Sequence, residues 1–303
     1  MKLNQSLVSF SLLALAALPM QARERLNFDE GWLFTLADSV GMEKNDYADL
    51  TWRHLDLPHD WAIEGDFSPT NPSGASGGAL PGGIGWYRKH FTVSPKDKYD
   101  KYAIAFDGVY MNATVYVNGH NLGSRPYGYS SFEYDLTPYL NKKGDNVVAV
   151  RVNNGDQPNS RWYSGCGIYR HVWLVMSKAA HISQWGQYVS TTPDGTVKVR
   201  IDWTDAAGIT LKPTFRNTIY DAEGRVVATQ TSASNEQTLQ VKNPKLWDVT
   251  SPYIYKVKSE LLVKGKVVDT EVTTTGFRDV KFDAQKGFFL NGKNMKLNGV
   301  CEH

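Results

Sequence analysis

Residues 112–123 read NATVYVNGHNLG, and they contain a pattern that repeats through most of the chain. Apolar and polar side chains alternate from Ala113 to Val117, which is typical of a β-strand with one buried face. The Asn118-Gly119 pair that follows is a strong signal for the tight turn of a β-hairpin. This stretch therefore predicts two antiparallel strands joined by a short turn.

Similar short runs lie on both sides of this hairpin. They are GWYRKHFTV (85–93), YAIAFDG (102–108), SFEYDL (131–136), NVVAVRVNN (146–154) and IYRHVWLV (168–175). With the first strand of the hairpin they make about six strands before residue 176, and this regular spacing predicts a β-sandwich or jelly roll. The Gly-, Pro- and Ser-rich stretch from Ser68 to Gly85 is expected to be a surface loop.

A second series of strand patterns follows residue 180. It comprises VKVRIDW (197–203), KPTFRNTIY (212–220), RVVATQT (225–231), QTLQV (237–241), YIYKVKSELLV (253–263) and KVVDTEVTTT (266–275). About six or seven strands in roughly 100 residues fit an immunoglobulin-like sandwich. The chain is therefore predicted to be all-β, with domains at 23–177 and 178–278.

The amino-terminal residues carry an export signal. Lys2 and the short apolar stretch from Leu7 to Leu18 precede a small residue at Ala22, which indicates a cleaved secretory signal peptide over residues 1–22. That stretch is too short to span a bilayer, and no later stretch is apolar enough for a membrane helix. We therefore expect an exported protein, periplasmic or secreted, without a membrane span.

Composition narrows the classes of partner. The 33 Lys and Arg residues nearly balance 31 Asp and Glu residues, and no basic run stands out, so a nucleic-acid partner has little electrostatic support. Nine Trp and 16 Tyr residues suit a β-rich core or a surface that stacks on sugar rings. Cys166 and Cys301 make no disulfide framework and are expected to be buried thiols.

Six motifs occur in a specific order along the chain. They are LDLPHDWAIEGDFS (55–68), GGIGWYRKHF (82–91), DGVYMNATVYVNGHNLG (107–123), NSRWYSGCGIYRHVWL (159–174), PKLWDVTSPYIYKV (244–257) and GFRDVKFDAQKGFFLNGKNMKLNGVCEH (276–303). Together they resemble glycoside hydrolase family 2, of the β-galactosidase kind. The resemblance implies a jelly-roll sugar-binding domain, an immunoglobulin-like domain and then a (β/α)8 barrel. Residues 279–303 would be the start of that barrel, with LNGVCEH (297–303) as its first strand.

The resemblance also implies a retaining, exo-acting glycoside hydrolase active in carbohydrate catabolism. Such enzymes use two carboxyl groups about 5–5.5 Å apart, one as acid and one as nucleophile. In this family both are glutamates on later barrel strands, so none is expected in this chain, which we predict to be inactive alone. Glu302 would lie on the first strand and does not qualify. No cofactor is expected, apart from a monovalent or divalent cation that the barrel could bind.

The loop NNGDQPNSRWYSGCGIYR (153–170) matches the one with which the jelly roll of this family reaches the sugar pocket. Arg161 offers fixed donors suited to sugar hydroxyls. Trp162 and Tyr163 could stack on a pyranose face, and Asn159 could hydrogen-bond a hydroxyl. Alternatively, Arg161 pairs with a carboxylate at a domain interface and Trp162 belongs to the core. In relatives an Asp lies near the tryptophan of this loop, whereas this sequence has Asn-Ser-Arg there and its Asp156 lies further upstream, so the resemblance does not support a monovalent-ion role.

Other polar motifs are interpreted as follows. His303 matches a family histidine near the reacting sugar, so it is a fifth candidate for substrate binding. His59 and Asp60 are expected to point to opposite faces of a strand, with Asp60 bonding nearby turn backbone. Cys301, Glu302 and His303 are too crowded for a zinc site. GGIG (82–85) lacks the helix and lysine of a nucleotide loop.

Two classes of function remain open. The first is a glycosidase, in which a β-galactosidase is favoured by NSRWYSGCGIYR (159–170) over a β-glucuronidase or β-mannosidase. The second is a non-catalytic carbohydrate-binding or scaffold protein, which would have no use for the apolar tail after Gly287. The expected partner in the first class is a β-linked glycoside or oligosaccharide, and a homo-oligomer is consistent with either class.

Overall fold

The computed structural model describes residues 23–94, 96, 98–205 and 211–301, and strands dominate this part of the chain. The predicted signal peptide over residues 1–22 lies outside the described residues, as do Glu302 and His303. Within the described residues, no helix is long and apolar enough to cross a membrane.

Ten of the described strands precede residue 178. They are β1 (Arg23–Asn27), β2 (Trp32–Thr35), β3 (Arg53–Leu55), β4 (Gly83–Thr92), β5 (Lys101–Phe106), β6 (Ala113–Val117), β7 (His120–Arg125), β8 (Phe132–Asp135), β9 (Asp145–Asn154) and β10 (Val172–Ser177). Two single turns of 3-10 helix, Ala75–Gly77 and Thr137–Tyr139, lie in the connections.

These strands form the predicted jelly roll. A six-stranded sheet in the order β3-β2-β4-β9-β6-β7 faces a four-stranded sheet in the order β1-β10-β5-β8. Their inner faces share one core rich in aromatic side chains, including Trp32, Tyr87 and Phe106. The predicted hairpin is confirmed, since β6 pairs with β7 and both turn residues, Asn118 and Gly119, have positive φ, at 48° and 79°.

A charged cluster lies on the outer face of the six-stranded sheet, beneath the connection between β2 and β3. We call Arg88, Asp49, His90 and Asp145 the sheet-face network. The fully buried Arg88 donates from Nε to Asp49 Oδ2 at 2.7 Å. His90 lies 2.9 Å from the same oxygen through Nε2 and 2.7 Å from Asp145 Oδ2 through Nδ1. The network therefore ties the connecting loop to the sheet by buried charge.

Seven described strands form the second sandwich. They are β11 (Ala180–Thr191), β12 (Thr196–Asp205), β13 (Thr214–Tyr220), β14 (Val226–Ser232), β15 (Glu236–Gln240), β16 (Tyr255–Val263) and β17 (Lys266–Thr275). The sheets β11-β12-β15 and β14-β13-β16-β17 enclose a separate core that includes Ile182, Phe215 and Phe277. This arrangement confirms the predicted immunoglobulin-like sandwich.

Arg23, at the start of β1, joins the two sandwiches. Its guanidinium donates to Asp269 Oδ2 at 2.7 Å and to Glu271 Oε2 at 3.0 Å, both on β17. Asp269 is fully buried and also accepts from the Ile182 backbone N–H at 2.7 Å. Burial raises the pKa of Asp269 even though the Arg23 charge opposes this rise. The junction is thus a charged, desolvated contact.

Three short strands follow the second sandwich: β18 (Val280–Asp283), β19 (Gly287–Leu290) and β20 (Lys293–Asn294). A turn at Asn291-Gly292 joins β19 to β20. Residues 295–301, where the barrel strand was expected to begin, have no regular secondary structure. A barrel strand is stabilised by paired neighbours and covering helices, and here Val300 is 97% exposed.

The cysteine prediction is half right. Cys166 is buried, as expected, but Cys301 is exposed, because it lies in this uncovered terminal stretch. The two described cysteines are not joined by a disulfide.

Candidate functional site

The loop between β9 and β10 carries four of the five predicted site residues and is held at its base by close backbone packing. Tyr110 and Gly167 exchange backbone hydrogen bonds of 2.9 and 2.8 Å. Gly167 has φ of 119°, and a Cβ at this position would lie 2.2 Å from the hydroxyl of the buried Tyr87. Only glycine fits this position, so the end of the loop is fixed against the core.

Asp60 connects this loop to the one that follows β3. Its Oδ1 accepts from the backbone N–H groups of Ala62 at 3.0 Å and Cys166 at 2.9 Å. Its Oδ2 accepts from the hydroxyl of Tyr163. Burial and this carboxylate together raise the pKa of Tyr163, so the phenol remains a hydrogen-bond donor. The prediction that Asp60 bonds nearby turn backbone is confirmed.

His59 points away from Asp60, as predicted, but for a different reason. Neither residue lies on a strand, so strand alternation does not separate them. His59 Nδ1 lies 2.7 Å from the hydroxyl of Tyr87, and Nε2 lies 3.4 Å from Glu64 Oε1. Burial lowers the pKa of His59 despite the Glu64 charge, which favours a neutral imidazole packed inside the sandwich.

Asn159 is held inside its own loop by other amides. Its Nδ2 donates to Asn154 Oδ1 at 2.6 Å, and the buried Asn154 donates in turn to the Gly165 carbonyl at 3.1 Å. Tyr110 donates its hydroxyl to Asn159 Oδ1 at 3.4 Å. We call Asp60, Asn154, Asn159 and Tyr163, which together fix the shape of this segment, the loop network.

Arg161 and Trp162 project from the frame that the loop network builds. Trp162 is 48% exposed, so the alternative that it belongs to the core is wrong. Its indole Nε1 donates to the hydroxyl of Tyr129 at 3.1 Å. Arg161 is exposed and has no ion pair among the charged groups of residues 23–301 that the structure describes. Tyr163 lies beside them with 38% of its surface exposed.

The structure therefore brings four predicted residues together: Asn159, Arg161, Trp162 and Tyr163. It adds Tyr110, Tyr127 and Tyr129, which no motif in the sequence predicted. The available signal was the PYGY stretch (126–129), in which a glycine in a turn-rich segment separates two aromatic residues. His303 lies outside the described residues.

Among the described residues, no group of three or more His, Cys, Asp or Glu side chains is arranged to hold a metal ion. The candidate loop contains hydrogen-bond donors, side-chain amides and exposed aromatic rings. Such groups can bind and orient a polyhydroxylated ligand. Asp60 already accepts three hydrogen bonds, so it is engaged in structure.

Two family models match the chain. The one described as "Glycosyl hydrolases family 2, sugar binding domain" matches residues 79–178, which include the whole candidate loop. The one described as "Glycosyl hydrolases family 2" matches residues 180–278. The two matches are adjacent and fall on the first and second sandwiches, respectively.

Individual proteins are similar over nearly the whole chain. Beta-galactosidase BoGH2A of Bacteroides ovatus is 48% identical over 295 residues, which are 93% of this chain and 34% of that protein. A putative beta-glucuronidase of Formosa agariphila is 43% identical over 290 residues, which are 93% of this chain and 28% of that protein. The chain thus spans about a third of the length of these curated relatives.

A solved structure agrees with this likeness. The crystal structure of a beta-glycosidase from Bacteroides vulgatus superposes with a TM-score of 0.87 at 38% sequence identity. The match covers 92% of this chain and 37% of that one. The same two-sandwich arrangement is therefore present in a longer protein of known structure.

Proposed function

As this chain belongs to glycosyl hydrolase family 2, we propose that it forms the sugar-binding and scaffolding part of a retaining, exo-acting β-galactosidase. The observation that carries this proposal is the exposed Arg161 and Trp162, held out by the loop network within the match to the sugar-binding domain. Ordered, exposed donors and rings next to a buried frame are what a binding loop requires.

The proposed division of labour follows from what this loop can do chemically. Retaining hydrolysis needs an acid and a nucleophile, two carboxyl groups about 5–5.5 Å apart. We place both on parts of the whole protein outside this chain. The Arg161 guanidinium would donate to sugar hydroxyls, while Trp162 and Tyr163 would cover the apolar face of the ring and exclude water from it. This chain would bind and orient the substrate without moving a proton.

A β-glucuronidase is the second candidate. It is favoured by the 43% identity to the putative beta-glucuronidase of Formosa agariphila. An exposed guanidinium without a carboxylate partner among the described residues also suits the carboxylate of a glucuronide, because that pairing is bidentate. We rank this candidate second because the identity to a beta-galactosidase is higher, at 48%.

The test is a side-by-side assay of the whole protein that contains this chain, with 4-nitrophenyl β-galactoside and 4-nitrophenyl β-glucuronide. We expect the galactoside to have the higher kcat/KM. A higher value for the glucuronide would replace the first candidate with the second. Hydrolysis of neither would support a carbohydrate-binding or scaffold protein.

The chain alone provides the matching control. It should bind glycosides and show no turnover above a blank without protein. Turnover that persists through repeated purification of the chain would contradict the proposal that both catalytic carboxyl groups lie outside it.

Export is a further part of the proposal. The signal over residues 1–22 leads us to expect that the mature chain begins near Arg23, the residue whose guanidinium joins the two sandwiches. Sequencing the amino terminus of protein from the native cell envelope checks this. Recovery of Met1 from a cytoplasmic fraction would contradict it.

A further inference from the structure

Three exposed aromatic side chains form a continuous surface beside the candidate loop. We call Tyr127, Tyr129 and Trp162 the aromatic strip. The ring centroids of Tyr127 and Tyr129 are 5.6 Å apart, and Trp162 donates its indole N–H to the Tyr129 hydroxyl at 3.1 Å. The strip therefore joins a loop after β7 to the loop after β9.

The backbone beneath the strip is fixed. Gly128 lies against the ring of Tyr110, so that an added Cβ would come within 2.2 Å of a ring carbon. The Gly128 carbonyl also accepts from the Tyr169 hydroxyl at 3.0 Å. The Tyr110 ring supports Tyr129 from below at a centroid distance of 5.2 Å. The side chains on both sides of Gly128 are thus held in place before any ligand arrives.

The rings of the aromatic strip are accessible in this chain. Tyr127, Tyr129 and Trp162 are 62%, 42% and 48% exposed, so each leaves a large part of its ring accessible. An ordered, exposed aromatic patch is typical of a binding surface. Preorganised rings lose little conformational freedom when they bind, which favours affinity.

The chemistry of the strip identifies a class of ligand. A pyranose has an apolar C–H face and hydroxyls around its rim, and Tyr and Trp combine an apolar ring with a polar tip. Tyr127 and Tyr129 are inclined at 65° to each other, so a planar ligand cannot lie flat on both rings at once. The strip also extends beyond Arg161 and Trp162, so it has room for a sugar unit next to the one at the loop.

We propose that Tyr129 and Tyr127 of the aromatic strip form a second sugar-ring platform and that the ligand of this chain is a β-linked oligosaccharide of at least two units. This inference rests on the proposed function for the loop itself. One sugar would contact Arg161 and Trp162, and the following sugar would lie on Tyr129 and Tyr127.

Calorimetric titration of the chain with galactose, β-1,4-galactobiose and β-1,4-galactotetraose tests the proposal. We expect affinity to rise by about 5- to 30-fold from galactose to the longer oligosaccharides, the factor that corresponds to 1–2 kcal/mol of added contact. Tyr127→Ala should remove that gain and leave galactose binding unchanged. Tyr127→Phe should keep the gain, because the ring and not the hydroxyl makes the contact.

Tyr188→Ala is the matched control, since Tyr188 is a tyrosine on the second sandwich with a similar exposure of 50%. It should bind all three sugars like the unaltered chain. The proposal of a second platform would be wrong if affinity does not depend on the length of the oligosaccharide. It would also be wrong if Tyr127→Ala and Tyr188→Ala have equal effects.

The outcomes separate this inference from the proposed function. If Arg161→Ala still weakens galactose binding while the length of the oligosaccharide has no effect, the proposed role of the loop is supported and the second platform is wrong. If no sugar binds, the platform is wrong as well, and the galactoside assay of the whole protein then decides the proposed function independently.

Discussion

Two polar networks on the first sandwich fix a loop to a sheet, and they differ in what they leave outside. The sheet-face network has a buried centre, where the fully buried Arg88 is bonded to the buried Asp49 at 2.7 Å, and an exposed edge formed by His90 and Asp145. The loop network consists of one carboxylate, two amides and a phenol, and it leaves Arg161 and Trp162 exposed. The first network buries its arginine against a carboxylate, and the second holds an arginine and a tryptophan outward.

This contrast indicates how to tell a structural polar cluster from a binding one. A fully buried arginine, whose Nε and Nη1 are bonded to carboxylate and carbonyl oxygens, cannot reach a ligand at the surface. An exposed arginine on an ordered loop keeps its donors available. We therefore expect substitutions in the two networks to affect different properties of the protein.

The largest effect is expected from Arg88→Met. This change removes the main partner of a buried carboxylate, and breaking a buried ion pair costs about 3–5 kcal/mol. The free energy of unfolding, measured by urea denaturation of the chain, should fall by this amount. Galactose binding by the protein that remains folded should not change.

Arg53→Ala is the control for the buried pair. The Arg53–Glu64 pair is exposed, with 55% of the Arg53 side chain accessible, so its loss should cost at most about 1 kcal/mol. If both variants lose the same stability, burial does not distinguish the sheet-face network from a surface pair.

Arg161→Ala should have the second largest effect, and on a different property. Loss of a charged hydrogen bond to substrate costs about 1.5–3 kcal/mol, or roughly 10- to 100-fold in the kcat/KM of the whole protein. The unfolding free energy should change by less than about 0.5 kcal/mol, as for other exposed sites. A lower melting temperature with normal kinetics in the remaining folded protein would make Arg161 an interface residue instead.

Tyr163→Phe tests the loop network with a smaller change. It removes the hydroxyl that donates to Asp60 and keeps the ring. The unfolding free energy should fall by about 1 kcal/mol, the typical value of one hydrogen bond. Sugar stacking should persist, because the aromatic face is intact. Tyr188→Phe, on the second sandwich, is the matched control and should leave both quantities unchanged.

The smallest effect is a pH dependence from His90. Burial would lower its pKa, but the hydrogen bonds to Asp145 and Asp49 outweigh it and raise the pKa above the usual value of 6.5. The charged imidazole therefore stabilises the fold fully below about pH 6.5, and this contribution is lost as pH rises through the raised pKa. Because His90 is 39% exposed, we expect roughly 0.2–1 kcal/mol.

Urea denaturation at pH 5.5 and pH 9 of the unaltered chain and of His90→Gln isolates this contribution. The difference between the two proteins should be larger at pH 5.5. An equal difference at both values would mean that His90 does not titrate against the network.

Much of the fold was predictable because strands and turns leave local signals. The alternation in β6 and its Asn118-Gly119 turn specify a hairpin without reference to the rest of the chain. The barrel strand was not predictable in this way. Residues 297–301 are apolar enough for a strand, but a strand depends on neighbours that sequence alone does not supply.

The candidate site was predictable in part for a related reason. Arg161, Trp162 and Tyr163 share one loop, so a single motif identifies all three. Tyr127 and Tyr129 join them only through the fold, because the sheet order brings the end of β7 close to the end of β9. No spacing rule in the sequence connects these two loops.

Backbone amide shifts of the isotope-labelled chain, followed by NMR during titration with β-1,4-galactotetraose, test the central claim most directly. We predict that the shifts concentrate in residues 127–129 and 155–165 and that the amides of Asp49, Arg88 and His90 stay in place. Shifts confined to the second sandwich or to the sheet-face network would contradict the claim that the loop end of the first sandwich is the sugar-binding face.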